Sequence, residues 1–187
     1  MGSRDFDERY PIFARYITDN WRAFRTWGVS ATSPWEFGHY WKLRDGVDKS
    51  RVNFETDLGN LQRPGFSPNY IHERYERMDL AYERADWIPT EAAKALIRNN
   101  GPVLAYIGGK AGAFTGKDHN FLPGETVEKQ IIVINNSRVT VECECEWRLG
   151  LPRAVKGERK VTIKTGEQER VAIKFKLPET LPPGEYT

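Results

Sequence analysis

Residues 28–41, GVSATSPWEFGHYW, place one carboxylate and one imidazole among large aromatic rings: Trp35, Glu36, His39, Tyr40 and Trp41. A carboxylate can serve acid–base or nucleophilic chemistry, an imidazole can hydrogen-bond, and flat rings offer a stacking surface. A buried core would not need Glu36 and His39. A solvated loop would not need Trp35, Tyr40 and Trp41. The cluster therefore fits neither a plain core nor a plain solvated loop.

Other chemistry-bearing residues are sparse. The two cysteines fall in Cys143-Glu-Cys145, the three histidines (39, 72, 119) are scattered, and no CxxC pair or Cys/His metal spacing occurs. Neither a metal nor an organic cofactor is implied. Gly108-Gly109 lacks the strand–GxGxxG–helix context of a nucleotide site and fits a bend. In FTGKDHNFLPGE (114–125), Asp118, His119 and Asn120 stand together. They could form a ligand loop, but a loop leading into a sheet domain fits better.

Composition limits the partners. With 28 basic and 26 acidic side chains the net charge is +2, which supplies no electrostatic reason for nucleic acid or an anionic membrane. No run of 18 apolar residues is present, so no membrane span is predicted, and MGSRDFDERY lacks the apolar core of a signal peptide. The 39% hydrophobic and 29% charged content belongs to a globular chain.

The elements that must position the cluster fall into two halves. Phe6, Tyr10, Phe13, Ile17, Trp21 and Phe24 recur at spacings of three and four and predict a helix over 6–27, with Pro11 near its first turn and Gly28 as its C-terminal cap. A short extended run over Val29–Trp35 follows. Residues 42–69, with Gly46, Gly59, Pro64, Gly65 and Pro68, read as irregular. A second helix is predicted over 69–85, with Ile71, Tyr75, Met78 and Tyr82 on its apolar stripe. A third is predicted over 91–98, capped by Thr90 and stopped by Asn100-Gly101.

After about residue 102 the period becomes two. In VTVECECEWRL (139–149), Val139, Val141, Cys143, Cys145, Trp147 and Leu149 share one face, and Thr140, Glu142, Glu144, Glu146 and Arg148 share the other. Strands are also predicted over 127–135, 159–165 and 169–177, with turns at Asn135-Asn136-Ser137 and Gly166-Glu167. This succession without intervening helices predicts an antiparallel β-sandwich. The expected fold is α+β and multidomain: residues 1–100 as one part, 101–187 as a sandwich. LPPGEYT reads as a turn with the start of another strand, so the expectation is a fragment truncated at both ends.

NWRAFRTWGVSATSPWEF (20–37) resembles the end of a clan-A glycoside hydrolase (β/α)8 barrel of the β-galactosidase or β-glucuronidase kind. The carrying residues are Trp27-Gly28-Val29 and then Trp35. The resemblance covers roughly residues 6–86 and, more loosely, the following sandwich, which would be an immunoglobulin-like accessory domain. It implies that Trp35 stacks on a pyranose ring and that Glu36, His39, Tyr40 and Trp41 line the same mouth. Hydrolysis needs two carboxylates, about 5–5.5 Å apart for retention. In this clan they lie at the ends of strands four and seven. Counting places Glu36 on strand eight, so the chain would contain no catalytic residue and be inactive alone. Were the strand the seventh, Glu36 would be the nucleophile.

The resemblance thus implies part of a retaining enzyme acting on β-linked glycosides or polysaccharides. Its partners would be a carbohydrate substrate and the remainder of a parent polypeptide, itself secreted or periplasmic. The alternative is a non-catalytic β-sandwich that binds carbohydrate or another protein. An adhesion or assembly domain of immunoglobulin type would leave the 28–41 cluster without a role.

Overall fold

The computed structural model describes residues 7–29, 32–34, 40–48 and 83–187. Among them the protein is α+β, with two α-helices and strands that all pair antiparallel. By contacts it divides into two compact units, Met1–Trp21 with Ser30–Asn99 and Arg22–Val29 with Asn100–Thr187. The division falls inside the first helix, and that helix's last turn belongs to the second unit.

Helix α1 spans Arg9–Thr26. Pro11 sits in its first turn, where a missing N–H costs nothing. At its end Gly28 takes φ +78°. The Gly28 N–H donates to the Arg25 carbonyl (3.1 Å) and the Val29 N–H to the Phe24 carbonyl (2.9 Å). This Schellman pair satisfies carbonyls the helix leaves open. Tyr10 and Trp21 on the predicted stripe are buried, whereas Phe13 remains 36% exposed.

In the first unit, β1 (Trp41–Leu43) pairs with β2 (Trp87–Pro89), bringing Trp41 opposite Pro89 and Leu43 opposite Trp87. Residues 42 and 43 fall in the stretch expected to be irregular; the partner of β1 lies more than forty residues away, so no local pattern announces it. Conversely, Val29 and residues 32–34 form no strand. The helix expected over 69–85 lies outside the described residues for 69–82, and Arg84–Asp86 is a 3-10 turn. Helix α2 spans Glu91–Asn99. Its buried Asn99 donates from Nδ2 to the Ala95 carbonyl (2.7 Å) and to Thr18 Oγ1 (3.3 Å), fastening the end of α2 to α1.

In the second unit, β3 (Val103–Gly108), β4 (Thr126–Asn135) and β7 (Gln168–Lys176) form one sheet in the order β3-β4-β7. Strands β5 (Val141–Leu149) and β6 (Val155–Ile163) form another. Ile131, Val133, Cys145, Ile163, Val171 and Ile173 make the shared core of the two sheets. Both cysteines are free; Cys145 is buried as a small apolar group, and its thiol pKa is raised by that burial and by neighbouring Cys143. The Trp147 ring crosses Gly157, where an added Cβ would lie 2.7 Å from the indole, and stacks on Phe175 at 5.8 Å. Val139, expected on the buried face, is exposed and precedes the strand.

The other face of the three-stranded sheet carries Leu104, Tyr106, Ile132 and Ile134. Phe114 packs against it, and the last turn of α1 reaches its Tyr106, the Arg22 guanidinium lying 5.1 Å from the ring centre. Thr26 Oγ1 lies 2.6 Å from the Tyr106 hydroxyl, and the Gln168 amide donates to the Thr26 carbonyl (3.0 Å). Arg25 Nη1 donates to the Gly101 carbonyl at 2.7 Å. Trp27 is 63% exposed and meets Phe114 edge-on at 5.6 Å.

Burial raises the Tyr106 pKa above its ordinary value of 10.0, against smaller opposing effects of the Thr26 hydrogen bond, Arg170 and Arg22. A folded-state pKa above the unfolded one gives stability that is complete below the unfolded value and lost as pH rises through the folded value. The melting temperature is therefore expected to fall more steeply above about pH 10 in the wild type than in Tyr106→Phe. Calorimetric scans of both proteins across that range measure the difference; parallel curves would contradict it.

Candidate functional site

Of the five residues singled out by sequence, Trp35, Glu36 and His39 lie outside the described residues. Tyr40 and Trp41 are described and half-buried in the first unit. Their backbone is held from α2. The Tyr40 carbonyl accepts from both the Thr90 N–H and Thr90 Oγ1, each at 2.9 Å. Thr90 Oγ1 also accepts from the Ala93 N–H at 3.3 Å, as an N-cap does. One threonine therefore fixes both the helix start and the chain entering β1.

The far end of this ribbon is held by charge. Arg44 Nη2 lies 3.1 Å from the carboxylate of buried Asp86, and the Arg44 N–H donates to the Asp86 carbonyl at 2.8 Å. The other Asp86 carboxylate oxygen accepts from the Glu83 N–H at 3.0 Å. Two part-exposed aromatic residues are thus carried on a short ribbon anchored at both ends. Such a surface can stack on a flat apolar ring.

A second candidate lies in the second unit. An open cleft of about 520 Å³ is lined by Lys117, Asp118, His119, Asn120, Phe121, Glu125 and Thr126. The loop between β3 and β4 builds it. The Gly109 N–H donates to the Phe114 carbonyl (2.8 Å), and buried Gln130 donates to the Gly109 (2.9 Å) and Lys110 (3.1 Å) carbonyls. The Lys129 ammonium donates to the Asp118 carbonyl and stands 5.9 Å from the Phe121 ring centre. Glu125 Oε2 accepts from the Leu122 N–H at 2.8 Å.

Asp118, His119 and Asn120 are thereby brought together on the cleft, with Lys117 and Glu125 adding both signs of charge. This wall offers many hydrogen-bonding groups and one aromatic face. It suits a polar, hydroxyl-rich or zwitterionic ligand better than an apolar one. Sequence reasoning singled out the Asp-His-Asn triplet but not Phe121, Glu125 or Lys129. The alternation of β4 puts Lys129 on the same face as Val127 and Ile131, and that was the available signal.

Among the described residues, carboxylate oxygens of Glu144, Glu146 and Glu158 lie within 4.8 Å of one another. All three are exposed on the wet face of β5 and β6, and Lys160 approaches Glu144 at 3.7 Å. No buried polar group supports them as a metal centre.

Comparison with known proteins adds no relative: no family model matches the chain, and no curated protein or solved structure matches it.

Proposed function

We propose that this chain is part of a glycoside hydrolase acting on β-linked glycosides or polysaccharides, contributing substrate contacts while the catalytic carboxylate pair lies elsewhere in the parent polypeptide. In this reading residues 1–100 close a clan-A (β/α)8 barrel, and 101–187 form an immunoglobulin-like accessory sandwich. The observation that carries it is the aromatic–acid–imidazole cluster from Trp35 to Trp41, directly after NWRAFRTWGV. The anchoring of Tyr40 through Thr90 supports it, since stacking residues act only when held in place. The two antiparallel sheets after residue 102 agree with the accessory role.

The test is turnover of aryl β-glycosides by the whole protein that carries this chain. Trp35→Ala is expected to lower kcat/KM about 10- to 100-fold, and Glu36→Gln to retain measurable turnover. Abolition by Glu36→Gln with rescue by azide would make Glu36 the nucleophile. Failure of the wild type on every glycoside would sink the reading.

The cleft at 117–126 favours a second reading, a non-catalytic sandwich that binds carbohydrate. Affinity electrophoresis in β-linked polysaccharides separates the two. Retardation lost in Phe121→Ala but kept in Trp35→Ala supports the module; the reverse supports the barrel.

A further inference from the structure

The turn from α2 into β3 holds two residues that can react with each other. An asparagine side chain is short enough to reach the backbone N–H of the next residue. When that residue is glycine, no Cβ hinders the approach. Asn100-Gly101 is the one Asn-Gly step in the sequence. Asn100 is exposed and directly follows Asn99, the last residue of α2. Gly101 therefore stands outside the helical ladder that engages interior N–H groups.

The other described asparagines are worse placed. Asn99 and Asn135 are fully buried, and their side-chain amides donate to the Ala95 and Ile163 carbonyls. Asn20 lies within α1 and precedes Trp21, and Asn120 precedes Phe121, so a bulky side chain flanks each attacking nitrogen. Asn136 precedes the smaller Ser137. There the Ser137 N–H is committed to Asn135 Oδ1 at 2.9 Å, and Asn136 Oδ1 accepts from Arg25 Nη2 at 3.2 Å.

We propose that Asn100-Gly101 is a self-modifying site, at which the chain converts without an enzyme to aspartyl and isoaspartyl forms, and that Arg25 senses the product. The Gly101 backbone nitrogen attacks Asn100 Cγ. A bond forms between them, the bond from Cγ to the side-chain nitrogen breaks, and ammonia leaves with the proton of the Gly101 nitrogen. Water then opens the cyclic imide. Cleavage between the Gly101 nitrogen and Cγ leaves an aspartate side chain. Cleavage between that nitrogen and the backbone carbonyl carbon of residue 100 leaves the main chain running through Cγ, with a free α-carboxylate. One water enters and one ammonia departs, and nothing is oxidised or reduced.

Either product sets a carboxylate beside Gly101, whose carbonyl accepts from Arg25 Nη1 at 2.7 Å. Arg25 Nη2 also reaches the Pro102 carbonyl (3.4 Å) and Asn136 Oδ1 (3.2 Å), so the guanidinium is held in place. In the aspartyl form the main chain is unchanged and the new charge is opposite to that of Arg25. In the isoaspartyl form an extra methylene enters the main chain just before Gly101 and carries its carbonyl off the guanidinium. This inference is independent of the glycosidase reading.

The test holds the intact chain in mildly alkaline, heavy-oxygen water and maps its tryptic peptides by mass. Heavy oxygen is expected first in the peptide Asn99–Lys110, at Asn100, ahead of Asn120 and Asn136. Asn100→Gln should abolish that uptake over the same period. The isoaspartyl form, isolated by chromatography, is expected to melt about 4–8 °C below the unmodified protein, and Asn100→Asp no lower than wild type. In Arg25→Ala the isoaspartyl and unmodified forms should melt together. No uptake at Asn100, earlier uptake at Asn120 or Asn136, an isoaspartyl form that melts with the unmodified protein, Asn100→Asp melting as low as that form, or a gap that persists in Arg25→Ala would each overturn the proposal.

Discussion

Asn135→Ala is expected to lower the melting temperature of the sandwich by roughly 15–30 °C, corresponding to about 3–5 kcal/mol in a unit of this size. Asn135 is fully buried at the end of β4. Its Nδ2 donates to the Val139 (2.8 Å) and Ile163 (2.9 Å) carbonyls, and its Oδ1 accepts from the Ser137 N–H (2.9 Å) and hydroxyl (2.6 Å). Its backbone N–H donates to the Glu167 carbonyl (3.0 Å), and its carbonyl accepts from the Gly166 N–H (2.7 Å). One side chain therefore joins the β4–β5 turn to the end of β6, and its backbone holds the β6–β7 turn. Alanine removes the side-chain partner of the Ile163 carbonyl and of the Ser137 N–H, while the Ser137 hydroxyl still reaches the Val139 carbonyl at 2.9 Å, and burying unmet polar groups carries the larger part of the cost. Asn135→Asp separates hydrogen bonding from volume. It keeps the acceptor for Ser137 but loses both donors and sets a charge against two carbonyl oxygens. Near neutral pH it should melt with the alanine variant. If it melts with the wild type, the network does not hold the sandwich together.

Gly109→Ala is expected to cost about 2–4 kcal/mol and to loosen the 109–116 loop. An added Cβ would overlap the Ala113 carbonyl oxygen and lie 2.8 Å from the Gly116 carbonyl oxygen. Both are backbone atoms of the same loop, so no rotamer change relieves the clash. The hydrogen bonds of Gly109 to Phe114 and Gln130 must lengthen with it. Hydrogen exchange should report faster exchange at Gly109 and Gly116, and any ligand of the 117–126 cleft should weaken in parallel. A variant with wild-type melting and wild-type exchange would show that the loop yields at no cost.

The strong periodicities were legible. The stripe from Tyr10 to Phe24 and the Gly28 stop foretell α1, because a helix against a core repeats its apolar residues every three or four positions. The alternation in VECECEWRL foretells β5. It misleads at Val139, whose carbonyl is taken by the Asn135 amide before the ladder begins. Strand β6 begins at Val155, four residues before the predicted start, because Gly157 discourages a strand reading while serving the Trp147 ring. The β1–β2 ribbon was hidden: three residues cannot display a period, and the partner strand is distant. Asn135 was read as a turn residue, since nothing local shows that its side chain points inward to join the β4–β5 turn to the end of β6. For the candidate site, sequence supplied residue types and clusters. The anchoring of Tyr40 by Thr90, and the placement of His119 on a cleft, depend on chain crossings that spacing does not encode.

The fastening of Arg22–Thr26 to the sandwich means that the boundary in contacts is not the boundary in sequence. Excised at residue 100, the strands would lose the partners of the Tyr106 hydroxyl, the Gln168 amide and the Gly101 carbonyl. The sandwich is therefore not a portable cassette. To be transplanted, or to have been shuffled between proteins, it must bring along a turn of helix encoded some seventy residues upstream.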